Sequence, residues 1–115
     1  MSEAANAREI LKFLSSRGVR LFRNQVGKYR LADGRFISSG LCVGSSDFIG
    51  WTPVTITQAM VGRVVAVFTA IEVKASKGRA SEKQKHFIQV VKQAGGIAGF
   101  AKNTEEAIGL INDRL

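Results

Sequence analysis

The segment IEVKASKGRASEKQKHF, residues 71–87, joins the end of an apolar run to a basic loop and the start of a helix. The run VVAVFTAIEVK (64–74) has apolar residues on both alternating faces, which predicts a central strand covered on both sides. Alternate residues of a strand share a face, so Glu72 and Lys74 point the same way. A carboxylate beside a buried apolar face needs a partner or a cation. The pattern therefore leaves two interpretations: a strand that reaches solvent at Glu72, or a divalent-metal site at the end of the sheet.

A metal site would need a second hard oxygen ligand, and Asp47 in the stretch GSSDFIGW is the nearest candidate upstream. Asp47 follows a Gly-Ser-Ser turn and stands at the start of a predicted strand over 47–51. If that strand pairs side by side with 64–74, Asp47 and Glu72 meet at one end of the sheet. The alternative is that Asp47 has only a structural role in the turn, since Asp favours such positions.

Mg²⁺ keeps several waters and takes only one or two protein carboxylates. The two acids and the main-chain carbonyl of Val73 would therefore suffice as protein ligands. Lys74 would stand close enough to orient the attacking water or to help deprotonate it. Carboxylates, a divalent cation and an ammonium group together are typical of phosphodiester hydrolysis.

Apolar spacing and turn residues predict the remaining elements. Residues 57–63 are expected to form a loop or a short helical turn, and Asp33-Gly34 predicts a two-residue hairpin turn. The other predicted elements are helices over 3–16, over 81–96 and after Asn103/Thr104, and strands over 19–27, 28–39 and 97–101. The predicted order is α-β-β-β-β-α-β-α. We expect one mixed α/β domain over 1–115, with a mixed central sheet flanked by helices.

Charge is the most informative bulk property of the 115-residue chain. It carries 17 Lys and Arg against 9 Asp and Glu, a net charge of +8, which favours a polyanionic partner, most commonly nucleic acid. A merely soluble basic protein is the alternative. No apolar run is long enough to cross a bilayer, and no secretion signal opens the chain. The single Cys42 excludes an internal disulfide, so we expect a reducing, cytoplasmic location in a bacterial cell or its phage.

The residues from Asp47 to Glu72-Val73-Lys74 resemble the motif of the PD-(D/E)XK nuclease superfamily. More narrowly, GSSDFIGW followed by AIEVKASKGRASEKQKHFIQVVKQAGGIAGFA resembles the virus-type replication-repair nuclease domain, VRR-Nuc, from about Arg8 to about Glu106. The resemblance implies a restriction-endonuclease-like core. It also implies a DNA endonuclease that depends on Mg²⁺ or Mn²⁺ and takes part in DNA repair.

Carried over by position, the resemblance implies a role for each of five residues. Asp47 and Glu72 would be the metal-binding acids, Lys74 the catalytic lysine, Gln84 a helix glutamine of the site, and Glu9 an acid on the first helix. The sequence departs from the superfamily pattern at Ser46, which stands where the motif has its proline. Stand-alone members of the family suggest branched DNA, such as four-way junctions, as the substrate.

Three of these side chains also have ordinary structural interpretations. Ser81 and Gln84 match a helix capping box, although Gln84 also heads the apolar stripe of its helix. A solvated glutamate is as good an interpretation of Glu9 as a site residue. Cys42 is expected to be a small core residue.

Basic and polar residues around the carboxylates are predicted to contact DNA phosphates, with solvated surface residues as the alternative. The predicted contacts are Lys77, Arg79, Lys83, Lys85, Arg23, Asn24 and Lys28. For Asn24, and for Gln25 beside it, a contact to the metal shell is the alternative. So small a chain has little surface for DNA, which favours a symmetric homodimer. The alternative function is a non-catalytic nucleic-acid-binding module on the same fold.

Overall fold

The structure is a computed structural model that describes residues 2–112. Its elements in chain order are α1 (Glu3–Ser16), β1 (Arg20–Arg23), β2 (Gly27–Arg30), β3 (Phe36–Ser39), β4 (Phe48–Trp51), a 3-10 turn (Gln58–Met60), β5 (Thr69–Val73), α2 (Glu82–Gln93), β6 (Ile97–Ala101) and α3 (Thr104–Asn112). The mixed α/β class is confirmed. Residues 28–39 were predicted as one strand. In the structure a turn divides this segment into β2 and β3, so five strands precede α2 instead of four.

The chain divides into two compact units between Pro53 and Val54. The first unit holds α1, which Ser2 caps by accepting a hydrogen bond from the Ala5 main chain at 3.1 Å. Its strands form two antiparallel ladders, β1 with β4 and β2 with β3. The ladder between β1 and β4 places Arg23 opposite Phe48, so the end of β1 lies beside the start of β4.

The β2–β3 ladder closes at the hairpin turn that Asp33-Gly34 predicts. Gly34 has a positive φ of 91°, a conformation that glycine adopts without a side-chain clash. The Leu31 main-chain N–H donates to the Arg35 carbonyl at 2.7 Å, and Asp33 accepts from the Arg35 side chain at 2.6 Å. Turn residues of this kind explain why the hairpin could be predicted from the sequence alone.

The second unit is built on a parallel β5–β6 ladder, which pairs Thr69 with Ile97 and Val73 with Ala101. Helix α2 connects the two strands, as parallel pairing requires a long crossover. The buried hydrophobic residues among 2–112 all lie in this unit: Ile88, Val91, Ile97, Ala98 and Ala101. The site at the end of β5 is therefore supported by the best-packed part of the described chain.

Two sequence predictions about burial are wrong. Regular strand structure begins only at Thr69, and Val64 and Val65 are 98% and 58% exposed, although both faces of 64–74 were expected to be covered. The strand ladders in residues 2–112 have two strands each, so β5 has a strand neighbour on one side only. Cys42 was expected in the core and is exposed instead, because it lies in the loop before β4.

None of the helices within 2–112 is both long and apolar enough to cross a bilayer.

The close packing of Gly96 gives a test of the second unit. A Cβ built on Gly96 would lie 2.8 Å from Val91 Cγ1 and 2.9 Å from the Phe68 carbonyl oxygen. We expect Gly96→Ala to lower the free energy of unfolding by about 1–3 kcal/mol in urea denaturation, because the β5–β6 crossover must open to admit the methyl group. The matched control is Gly109→Ala in α3, where a Cβ meets nothing within 4 Å and alanine should stabilise the helix. Equal stability of the two variants would contradict the packing described here.

Candidate active site

The end of β5 carries an acid and a base on one half-buried face. Glu72 and Lys74 are both partly buried, with side-chain exposures of 37% and 18%. Their charged groups lie 3.5 Å apart, from Lys74 Nζ to Glu72 Oε1. Lys74 lies one residue beyond β5, and its main-chain N–H still donates to the Ala101 carbonyl at 2.9 Å. The parallel pairing with β6 thus fixes the backbone from which both side chains extend.

Gln84 on the first turn of α2 connects these two charged groups. Its Nε2 donates to Glu72 Oε1 at 2.8 Å, and its Oε1 accepts from Lys74 Nζ at 2.8 Å. The carboxamide can do both because it has donors on one atom and an acceptor on the other. The three residues form one hydrogen-bonded group, which we call the Glu-Lys-Gln group.

The same Gln84 side chain also takes part in the capping box. Ser81 Oγ accepts from the Gln84 main chain at 3.1 Å, and Gln84 Oε1 accepts from the Ser81 main chain at 3.0 Å. The capping box predicted for Ser81 and Gln84 is therefore confirmed, and the same carboxamide also contacts Glu72 and Lys74. The role of Gln84 in catalysis stays a prediction. Because the cap fixes the start of α2, it also fixes the carboxamide over the end of β5.

The loop after Lys74 is also held by Lys102, a residue that no sequence motif indicates. Lys102 Nζ donates to the Ser76 carbonyl at 2.9 Å, across a separation of 26 residues. Its main-chain N–H donates to Glu106 Oε1 at 2.7 Å, so the start of α3 orders Lys102 itself. No local pattern predicts such a contact, because a lysine side chain reaching a loop carbonyl has no sequence periodicity.

Asp47 belongs to the first unit and stands directly before β4. Its main-chain carbonyl accepts from the Asn24 main chain at 2.7 Å, while its exposed carboxylate has no hydrogen bond or ion pair within residues 2–112. The residue lines a pocket of about 200 Å³ whose other lining residues are Arg23, Asn24, Gln25, Val26 and Ser45. The carboxylate of Asp47 is therefore available to a ligand.

The side chain of Asn24 is used within the chain. Its Nδ2 donates to Ser45 Oγ at 2.7 Å and to the Ser46 carbonyl at 2.8 Å, and its Oδ1 accepts from the Leu41 main chain at 2.8 Å. Both amide hydrogens are thus donated to the loop before Asp47. The predicted DNA contact of Asn24 stays a prediction, but these bonds would compete with it.

The other predicted residues lie on the surface. Glu9 is exposed on α1. Lys85 Nζ lies 3.3 Å from Glu82 Oε1. The Arg23 guanidinium carbon lies 5.8 Å from the ring centroid of Phe48. The remaining predicted DNA contacts are exposed: Lys28, Lys77, Arg79 and Lys83. Such groups could contact phosphates without a large loss of solvation.

A divalent cation such as Mg²⁺ is held by oxygen ligands, and the carboxylates of Asp47 and Glu72 are the candidates here. Within residues 2–112 no three or more His, Cys, Asp or Glu side chains cluster as ligands would. Glu72 Oε1 is engaged by Gln84, but Oε2 accepts no hydrogen bond in the described chain, and the Asp47 carboxylate is unpaired. Each residue thus keeps at least one free carboxylate oxygen, and Mg²⁺, which retains most of its waters, needs fewer such oxygens than ions that take several protein ligands. The side-by-side pairing of 47–51 with 64–74, on which the meeting of Asp47 and Glu72 was predicted to depend, is not found among the described strands, because β4 pairs with β1 and β5 pairs with β6. Whether the two acids share one ion stays a prediction.

A sequence model of the VRR-NUC domain matches residues 32–104, which is more than half of the chain. The chain belongs to this family, as the Asp47 and Glu72-Val73-Lys74 motif predicts, and so carries a nuclease domain of the PD-(D/E)XK type with a fold consistent with the restriction-endonuclease-like core. No curated protein and no solved structure matches the chain.

The bridge made by Gln84 can be tested by exchanging its amide with the carboxylate of Glu72. Gln84→Glu keeps acceptors for Ser81 and Lys74 but replaces the donor to Glu72 with a second carboxylate. We expect it to lower the free energy of unfolding by about 1–2 kcal/mol at neutral pH in urea denaturation.

The matched control is the exchanged pair, Glu72→Gln with Gln84→Glu, which restores one donor facing one acceptor. This double variant should recover most of the lost stability. If it is no more stable than Gln84→Glu alone, the bridge contributes nothing.

Proposed function

We propose that the chain is a Mg²⁺- or Mn²⁺-dependent endonuclease that hydrolyses phosphodiester bonds in DNA, with branched DNA such as four-way junctions as its preferred substrate. The observation that carries the proposal is the Glu-Lys-Gln group, in which a neutral amide holds a carboxylate and an ammonium together at the end of a strand. Membership of a nuclease family supports the reaction class.

In this proposal the cation is held by the carboxylates of Asp47 and Glu72, with the Val73 carbonyl as a further oxygen. A divalent cation bound there supplies positive charge to the phosphate and makes water a better nucleophile. Glu72 suits this role because Gln84 fixes one carboxylate oxygen and leaves the other without a hydrogen bond. The side chain therefore needs little reordering to bind an ion.

Lys74 has the proposed role of orienting the attacking water and stabilising charge on the phosphate. Its side chain is only 18% exposed, and its ammonium makes a 2.8 Å bond to Gln84 Oε1. A held and partly dehydrated ammonium acts on a nearby anion more strongly than a freely solvated one. Glu9 is proposed as an additional acid of the site, on the family resemblance alone.

DNA binding is proposed to use the exposed basic residues around both carboxylates, among them Lys28, Lys77, Arg79 and Lys83. With a net charge of +8, the chain attracts the phosphate backbone without reading base sequence. A homodimer would double the basic surface and supply two sites for the two strands of a branched substrate. A cytoplasmic location belongs to the same proposal, since the single Cys42 has no disulfide partner in the chain.

The direct test is nicking of a four-way junction and of a linear duplex in Mg²⁺, Mn²⁺ or EDTA. We expect cleavage with either metal, none in EDTA, and a preference for the junction. The variants Asp47→Ala, Glu72→Ala and Lys74→Ala should each lose at least about 100-fold in rate, as removal of a group that stabilises transition-state charge does. Glu105→Ala, an exposed acid of α3, is the control and should cleave as the wild type does. Undiminished cleavage by the three site variants would end the proposal.

A non-catalytic nucleic-acid-binding module on the same fold is the second candidate. It is favoured by the absence of a cluster of three or more metal-ligand side chains within residues 2–112, together with the strong positive charge. Calorimetric titration with Mn²⁺ separates the two functions. Heat of binding that disappears in Glu72→Ala supports the nuclease, whereas salt-sensitive DNA binding without any Mn²⁺ uptake supports the module.

A further inference from the structure

Residues 24–26 are contacted at several points by the loop over 40–47, which ends in Asp47. The main-chain N–H of Asn24 donates to the Asp47 carbonyl at 2.7 Å. At the other end of the loop, Gly40 has a positive φ of 81°, and a Cβ built on it would lie 2.7 Å from Val26 Cα. The loop backbone therefore runs directly against the segment that follows β1.

The Asn24 side chain holds both ends of this loop at once. Its Oδ1 accepts from the Leu41 main chain, and its Nδ2 donates to Ser45 Oγ and to the Ser46 carbonyl, all at 2.7–2.8 Å. The distances are those of well-formed hydrogen bonds, and both N–H groups of the amide are donated. Removing the side chain would release the loop at its start and immediately before Asp47.

Ser45 makes the orientation of the Asn24 amide unambiguous. The Ser45 hydroxyl donates to the Cys42 carbonyl at 2.6 Å, so its oxygen is an acceptor toward Asn24. The Leu41 N–H is a donor and the Ser46 carbonyl an acceptor, which places oxygen and nitrogen of the amide in one arrangement only. An aspartate at position 24 could accept from Leu41 but could not donate to Ser46.

We propose that Asn24 is a positioning residue, which holds the loop over 40–47 through Leu41, Ser45 and Ser46 and so sets where the Asp47 carboxylate stands for metal binding. The inference rests on the proposed function for the role of Asp47. Groups that orient a metal ligand typically change metal affinity by about 10- to 100-fold when they are removed. Asn24 acts through the backbone immediately before the ligand, so its loss should weaken ion binding more than the chemistry after binding.

The test compares wild type with Asn24→Ala in three measurements: Mn²⁺ affinity by calorimetry, the nicking rate against Mn²⁺ concentration, and hydrogen exchange of the Leu41 amide. Asn24→Ala should weaken Mn²⁺ binding about tenfold or more while the rate at saturating Mn²⁺ stays within about threefold of wild type. The Leu41 amide should exchange at least about tenfold faster, because its acceptor is lost.

Two further variants separate positioning from general stability. Ser45→Ala removes one acceptor of the Asn24 amide and should weaken Mn²⁺ binding about threefold, while the double variant should be no worse than Asn24→Ala, since the two residues share a bond. Asn103→Ala removes the cap of α3, where Asn103 Oδ1 accepts from the Glu106 main chain at 2.9 Å. It should lower the melting temperature but leave Mn²⁺ affinity unchanged.

The outcomes distinguish this inference from the proposed function. If wild type binds Mn²⁺ and Asn24→Ala binds it equally well, or no worse than Asn103→Ala does, the positioning role is overturned. If wild type neither binds Mn²⁺ nor cleaves DNA, the proposed function fails, and hydrogen exchange then decides about Asn24 alone. If the Leu41 amide exchanges at the same rate in Asn24→Ala as in wild type, the inference that Asn24 holds the loop is overturned.

Discussion

The hydrogen bonds of the Gln84 carboxamide are the interaction on which the candidate site at the end of β5 depends. One side chain caps α2, donates to Glu72 and accepts from Lys74, so the helix start and the strand end are fixed together. An isolated acid and an isolated base at a half-buried position would each lose hydration without compensation. A neutral amide satisfies both without adding a charge of its own, and it leaves one carboxylate oxygen of Glu72 for an ion.

In the first unit, too, a side-chain carboxamide fixes the backbone next to a charged residue of the candidate site. Asn24 connects the two ends of the loop before Asp47, as Gln84 connects helix and strand in the second unit. In both cases the group that would meet the ion or the phosphate is charged, while the group that holds its backbone or side chain is neutral. A lysine or a glutamate in place of either amide would offer only donors or only acceptors, and would change the charge beside the site.

Much of this arrangement could be predicted from the sequence because it depends on local periodicity. Strand alternation places Glu72 and Lys74 on one face, and the spacing of Ser81 and Gln84 predicts the capping box. The bonds of Asn24 and of Lys102 span 17 to 26 residues between irregular segments, and no periodic pattern records them. The segment before Thr69 was predicted as buried strand because its composition is apolar. An apolar composition shows that a segment would be more stable when buried. Whether it is buried depends on a neighbouring helix or strand that packs against it.

The central proposal is that the carboxylate of Glu72, held by Gln84 beside Lys74, binds a divalent cation. A crystal structure of the protein with Mn²⁺, located by its anomalous scattering, tests this most directly. We expect a Mn²⁺ peak within about 2.0–2.5 Å of a carboxylate oxygen of Glu72, with Lys74 nearby and Gln84 still bonded to Glu72. A structure with no Mn²⁺ peak at Glu72, or with Gln84 and Lys74 no longer bonded to each other beside it, would contradict the proposal.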